Sequence, residues 1–232
     1  MTLLLNIADA DRLHTFHNLF AQEMPDLRLV TPEMCFDPAQ VRYLFTWMPL
    51  DDWTRFPNLE VVFSLSAGVD QFATLPPGIQ LVKMVDPHNT QGVVEYVLTA
   101  CLACIRDFPT FAWDQAHCDW QPTQARPIRK SHVGILGLGG IGQDAARALA
   151  TLGFQVSGWS RSQKQIPGVT CFAGEEGYKA LVAQADIVVC LLPLTPQTSG
   201  FLNRAFFGQM KAGASLVHAG RGAQCCLPDL RA

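Results

Sequence analysis

Short apolar runs separated by polar, helix-periodic stretches recur along the whole chain. In the first part the runs are Leu3-Leu4-Leu5, Leu27-Arg28-Leu29-Val30, Leu44-Phe45-Thr46-Trp47, Leu59-Glu60-Val61-Val62-Phe63-Ser64 and Leu81-Val82-Lys83-Met84. Between them, Asp9 to Glu23 and Asp51 to Phe56 carry helical spacing. Runs of this kind alternating with helices predict a parallel sheet covered on both faces. The same grammar restarts at Val133, with strands predicted at 133–136, 154–159, near 170–172, at 186–192 and at 214–218.

A long helical pattern from Val93 to Trp113 joins the halves. Its apolar positions (Val93, Val94, Val97, Leu98, Cys101, Leu102, Ile105, Phe108) cover more than one face. Such a helix must be buried, either between domains or against a second subunit. With Gly92 before it, the pattern divides the chain into a first domain, 1–91, and a second, 92–232.

Composition narrows the partners. The 232 residues are 49% hydrophobic and 16% charged, an ordinary globular balance. Net charge is −3 and no basic run occurs, which argues against nucleic acid or an anionic membrane as the main partner. The first residues lack the basic flank of a signal peptide, and no uncharged apolar stretch reaches membrane-spanning length. Cys101 and Cys104 read as core residues on a helix and Cys190 as part of a strand, while Cys225-Cys226 adjoin no histidine pair. The eight cysteines thus suggest reduced thiols in a cytoplasmic protein, with no metal site.

The chemistry begins at Gly137-Leu138-Gly139-Gly140-Ile141-Gly142, directly behind the run Val133-Gly134-Ile135-Leu136 and ahead of Ala145-Ala146-Arg147-Ala148-Leu149-Ala150. Between a buried strand and an amphipathic helix, this spacing predicts a dinucleotide site. One glycine permits the tight turn, one lets backbone approach a pyrophosphate, and one lets helix pack on strand. About 20 residues past such glycines a NAD site carries Asp or Glu for the ribose 2′-OH. Here Ser160-Arg161-Ser162 stands instead. With no carboxylate to repel a 2′-phosphate and a guanidinium able to grip it, the expected cofactor is NADPH rather than NADH. The competing reading of Arg161 is a solvated loop arginine.

Three more segments follow predicted strands. They are Ser66-Ala67-Gly68-Val69-Asp70, Leu192-Pro193-Leu194-Thr195-Pro196-Gln197-Thr198 and His218-Ala219-Gly220-Arg221-Gly222. Loops at the carboxyl ends of parallel strands are where open α/β sheets bind ligands.

With these residues, and with Trp159-Ser160-Arg161-Ser162 and Trp120-Gln121-Pro122, the chain resembles the D-isomer-specific 2-hydroxyacid dehydrogenases, in their glyoxylate/hydroxypyruvate reductase A branch. The resemblance implies an α/β fold of two doubly wound parallel-sheet domains. These are a flavodoxin-like substrate domain and a Rossmann dinucleotide-binding domain, the latter incomplete at its C-terminal end. It implies NADPH-dependent reduction of a small 2-oxo acid, and a homodimer formed through the 93–113 helix. Gly68 and Val69 N–H groups would hold the substrate carboxylate, and Trp47 would wall its pocket. Arg221 would bind the carboxylate and polarise the 2-oxo group. Gly137, Gly139, Gly140, Ile141, Gly142, Ser160, Arg161, Ser162, Leu192, Pro193, Thr198, Ala219 and Gly220 would contact the cofactor.

The family's proton donor, a histidine tuned by a glutamate, lies in segments beyond the Arg-Gly pair, and no residue here matches either. His88 reads as a turn residue, His218 as part of the cofactor loop, and His14, His17, His117 and His132 as surface or packing residues. The expectation is weak NADPH binding with slow glyoxylate reduction or none. A dinucleotide-binding module without turnover is the alternative.

Overall fold

A computed structural model describes residues 1–66, 68–84, 87–122, 124 and 126–231, without the side chains of residues 87–89. Two compact units divide the chain, Met1–Asp86 and Pro87–Ala232. The helix that opens the second unit runs from Pro87. Proline is well placed in a first turn, where its missing N–H has no partner to lose.

The first unit holds β1 (Thr2–Asn6), β2 (Arg28–Val30), β3 (Val41–Thr46), β4 (Val61–Ser64) and β5 (Gln80–Lys83). They form a parallel sheet in the order β2-β1-β3-β4-β5, the flavodoxin-like doubly wound order. Side chains alternate across it. Leu4, Val30, Val41, Leu44 and Val62 build the core on one face. Leu3, Leu5 and Phe45 point to the other, under Leu13, Phe16 and Phe20 of α1 (Ala10–Glu23). Asp9 caps that helix by accepting the Arg12 N–H at 2.8 Å. The helical spacing of Asp51 to Phe56 yields only a 3₁₀ turn, Trp53–Arg55, opened by Asp52. Pro57 disfavours helical backbone at Phe56 and ends it.

The second unit holds β6 (His132–Leu136), β7 (Gln155–Ser160), β8 (Val169–Ala173), β9 (Ile187–Cys190) and β10 (Ser215–His218). Their order, β10-β9-β6-β7-β8, all parallel, is the first five strands of a Rossmann sheet. The order in which strands are added reverses between β6 and β9, which sets the ligand crevice beyond their carboxyl ends.

The single helix expected over 93–113 is two, α2 (Pro87–Ile105) and α3 (Phe108–Ala116). Asp107 breaks it in left-handed backbone, φ +52°. Pro109 could not have donated to the Ile105 carbonyl, so one continuous helix was excluded. The α2 stripe Val94, Val97, Cys101 and Ile105 is buried in its own unit against Val133, Ile135, Ala145 and Leu149. Phe108 and Trp113 of α3 are largely exposed. Among the described residues, no helix is long and apolar enough to cross a membrane.

Candidate functional site

The glycine turn follows β6 and opens α4 (Gly140–Thr151). Gly137 sits at φ +105°, a conformation that side chains rarely adopt. A Cβ there would also press on the Leu191 carbonyl at 3.0 Å, so the turn is packed against the chain leaving β9. Gly142 has the opposite constraint: a Cβ would run into the Gly137 carbonyl oxygen. Gly139 and Gly140 have open space where a Cβ would point, so a ligand can approach their backbone. The N–H groups of Gly140, Ile141 and Gly142 begin α4 and have no carbonyl one turn earlier. The first turn of α4 contains no acidic residue. Helix dipole and N–H groups thus favour an anion at this end, and the surface fits a pyrophosphate.

The neighbouring loops are tied to this turn by backbone. Gly137 N–H donates to the Trp159 carbonyl at 2.9 Å, Leu191 N–H to Leu136 at 2.9 Å, and Ala219 N–H to Cys190 at 3.1 Å. The sequence-predicted cofactor residues therefore gather at one end of four adjacent strands. Ser160 Oγ donates to the Ser162 carbonyl at 2.7 Å, which folds the turn and leaves Arg161 exposed to solvent. Thr198 works inside its own loop. Its hydroxyl donates to the Pro193 carbonyl at 2.6 Å and accepts the Thr195 N–H at 2.8 Å.

Arg221 follows β10, with an exposed side chain. Its backbone is held from both sides. Gln224 Oε1 accepts its N–H at 2.8 Å, and its carbonyl accepts from Gln224 N–H at 2.9 Å and from His218 Nε2 at 3.0 Å. The Gln224 amide also donates to Leu192 O at 3.1 Å and Pro193 O at 3.2 Å, and the residue is fully buried. Sequence reasoning missed Gln224. The available signal was a lone amide among small and sulfur-bearing residues, three positions past the arginine, where donors and acceptors would be needed together.

In the first unit, Thr46 ends β3 with its hydroxyl donating to Met48 O at 2.7 Å and accepting Asn6 Nδ2 at 3.2 Å. Trp47 then leaves the sheet with half its surface exposed. Gln71 Nε2 donates to the Trp47 carbonyl at 3.0 Å, which ties Trp47 to the segment after β4. There, Gly68 N–H donates to Ser66 Oγ at 3.1 Å, so a hydroxyl already occupies one of the two N–H groups expected to meet substrate. Val69 caps the 3₁₀ turn Asp70–Phe72. Ala67 and the side chain of His88 lie outside the described residues. Among the described residues, no cluster of His, Cys, Asp and Glu is arranged to hold a metal.

A parallel sheet in Rossmann order, carrying a glycine turn that closes on a helix N-terminus, defines a dinucleotide-binding protein. The profile of the D-isomer specific 2-hydroxyacid dehydrogenase NAD binding domain matches residues 98–231, and the chain belongs to that family. It is similar to the glyoxylate/hydroxypyruvate reductase A of Yersinia enterocolitica, 37% identical over an alignment of 205 residues that covers 84% of this chain and 66% of that protein. The chain thus spans about two thirds of the length of the curated relatives it matches. Among solved structures, a family member from Xanthobacter autotrophicus in complex with NADPH superposes with TM-score 0.89 at 34% identity, covering 99% of this chain and 75% of that one. The NADPH-dependent glyoxylate/hydroxypyruvate reductase of Sinorhizobium meliloti, in complex with NADP and sulfate, does so at 0.88 and 33%, covering 99% and 76%.

Proposed function

We infer that this chain binds NADPH in preference to NADH and serves the reduction of a small 2-oxo acid, glyoxylate or hydroxypyruvate, to the 2-hydroxy acid. One observation carries the reading: the glycine turn and α4 leave an open, acid-free anion seat, while Arg161 stands exposed beyond β7 where a NAD site would carry a carboxylate. Both NADPH and NADP occur in relatives that superpose over nearly the whole chain.

Gly139, Gly140, Ile141 and Gly142 would hold the pyrophosphate. Ser160, Arg161 and Ser162 would take the 2′-phosphate, and Leu192, Pro193, Thr198, Ala219 and Gly220 would line the remainder. When bound, NADPH supplies the hydride. The Arg221 guanidinium would grip the substrate carboxylate and steady the charge that develops on the 2-oxygen. In the first unit, Gly68, Val69 and Trp47 are assigned to substrate binding in the same reading. Homodimer formation through α2 and α3 and a cytoplasmic location belong to the same reading. The exposed Phe108, Trp113 and Tyr96 support the former.

A second reading, a dinucleotide-binding module without turnover, draws on His218. Its Nε2 is committed to the Arg221 carbonyl and its Nδ1 is shielded without a partner, so this ring is placed as a brace rather than as an acid. Glyoxylate-dependent oxidation of NADPH separates the two. The reductase reading predicts a rate that Arg221→Gln lowers by about 10²–10³-fold. The module reading predicts saturable NADPH binding with no glyoxylate-dependent oxidation.

A further inference from the structure

We propose that Gln224 is a positioning residue that couples cofactor and substrate binding by making the 192–193 loop and the Arg221 peptide a single rigid piece. The inference rests on the NADPH and 2-oxo-acid reading above. The two segments follow different strands, β9 and β10, and are far apart in sequence. One carboxamide joins them: its oxygen takes the Arg221 N–H, and its nitrogen serves both the Leu192 and the Pro193 carbonyls. Each polar atom of this fully buried side chain is therefore engaged.

Displacing either loop alone would strand buried donors and acceptors, a costly state, so the loops move together or not at all. His218 closes the clamp from the other side, through its bond to the Arg221 carbonyl. Gly220 shows how tightly the parts fit. A Cβ at that position would collide with Gln224 Oε1 and come within 2.9 Å of His218 Cε1. A dinucleotide that orders the 192–193 loop would thereby order Arg221 for a carboxylate, and linkage requires the reverse effect to be equal.

The test uses NADPH and oxalate, an unreactive dicarboxylate that presents a carboxylate and an adjacent oxygen as a 2-oxo acid does. Oxalate affinity is measured by calorimetry without and with saturating NADPH. In the wild-type chain NADPH should tighten oxalate binding by about tenfold. Gln224→Met, of similar shape but without the amide, should bring that ratio below about twofold while the NADPH dissociation constant moves less than threefold. A merely structural defect would weaken both ligands and leave the ratio standing.

Gln224→Glu, which keeps the acceptor for Arg221 but sets a carboxylate against two carbonyls, should lose the ratio in the same way. It serves if the methionine variant does not fold. A wild-type ratio near one, or a ratio preserved in either folded variant, overturns the proposal even if both ligands bind. Failure of the wild-type chain to bind NADPH at all overturns the binding reading instead, and the coupling with it.

Discussion

The carbonyl oxygen of Gly137 occupies the space into which a Cβ on Gly142 would project. The turn and the first coil of α4 are therefore in backbone contact, and the anion seat exists only while both residues lack side chains. Gly142→Ala should destabilise the second unit by about 1–3 kcal/mol, the range for overpacking a close-fitted site. Thermal unfolding monitored by circular dichroism checks this. An unchanged transition would mean that the helix and turn are not in register as described. By contrast Gly140→Ala, with open space around it, should leave stability nearly intact and act on nucleotide binding alone.

Arg161 and Ser160 are predicted to set cofactor preference. Ser160→Asp combined with Arg161→Ala should lower the NADPH-to-NADH affinity ratio by at least about tenfold, since a carboxylate repels the 2′-phosphate and accepts from the ribose hydroxyl. Fluorescence titration with each nucleotide measures it. A ratio unmoved by the double variant would place the 2′-phosphate elsewhere.

Asp107 takes left-handed backbone between α2 and α3, where a side chain is unfavourable. Asp107→Gly should raise stability by about 0.5–1 kcal/mol, while Asp107→Val should lower it. Chemical denaturation of the three proteins provides the comparison. If valine is tolerated as well as glycine, the break is not where the structure puts it.

Asp186, just before β9, accepts the His132 N–H at 2.9 Å and pairs with Lys211 at 2.7 Å. Burial works against its ionisation, but the Lys211 and His132 hydrogen bonds outweigh it and hold the carboxyl below the usual aspartate range. A depressed folded-state pKa stabilises the protein fully above the unfolded value, and the contribution drains away as pH falls through the folded one. Asp186→Asn should thus cost about 1–2 kcal/mol at neutral pH and progressively less below the ordinary aspartate range. Unfolding curves recorded down the acid limb test this. A cost independent of pH would rule out the charge as its origin.

Thiol reactivity should follow burial. Cys101 is pushed up to about 12 and Cys190 to about 11, in both cases mainly by desolvation. Cys35 and Cys118 are exposed. Because only the thiolate reacts, mild alkylation at slightly basic pH should modify Cys35 and Cys118 first and spare Cys101 and Cys190 until the protein unfolds. Peptide mass mapping reads out the order.

Much of this architecture was legible in the pattern of apolar runs. Leu3-Leu4-Leu5 and Val133-Gly134-Ile135-Leu136 read as buried parallel strands because both faces of such strands are covered, and each lies inside its sheet with a strand on either side. The glycine turn was legible because backbone contact leaves residue-level marks at Gly137 and Gly142. Less was readable where local chemistry competes with periodicity. The apolar pattern of 93–113 hides a break, since Asp107 and Pro109 act through backbone geometry that hydrophobic spacing does not register. Gln224 was silent because its importance lies in three partners supplied by loops distant in sequence. Ser66 was overlooked for a similar reason: its hydroxyl matters only once the loop after β4 has folded back on Gly68.

Calorimetric titration of the folded 232-residue chain with NADPH, and in parallel with NADH, bears most directly on the whole account. Saturable binding of NADPH at one site per chain, tighter than NADH and weakened by Arg161→Ala, is the predicted result. Absence of heat with both nucleotides, or equal affinity for the two, would contradict it.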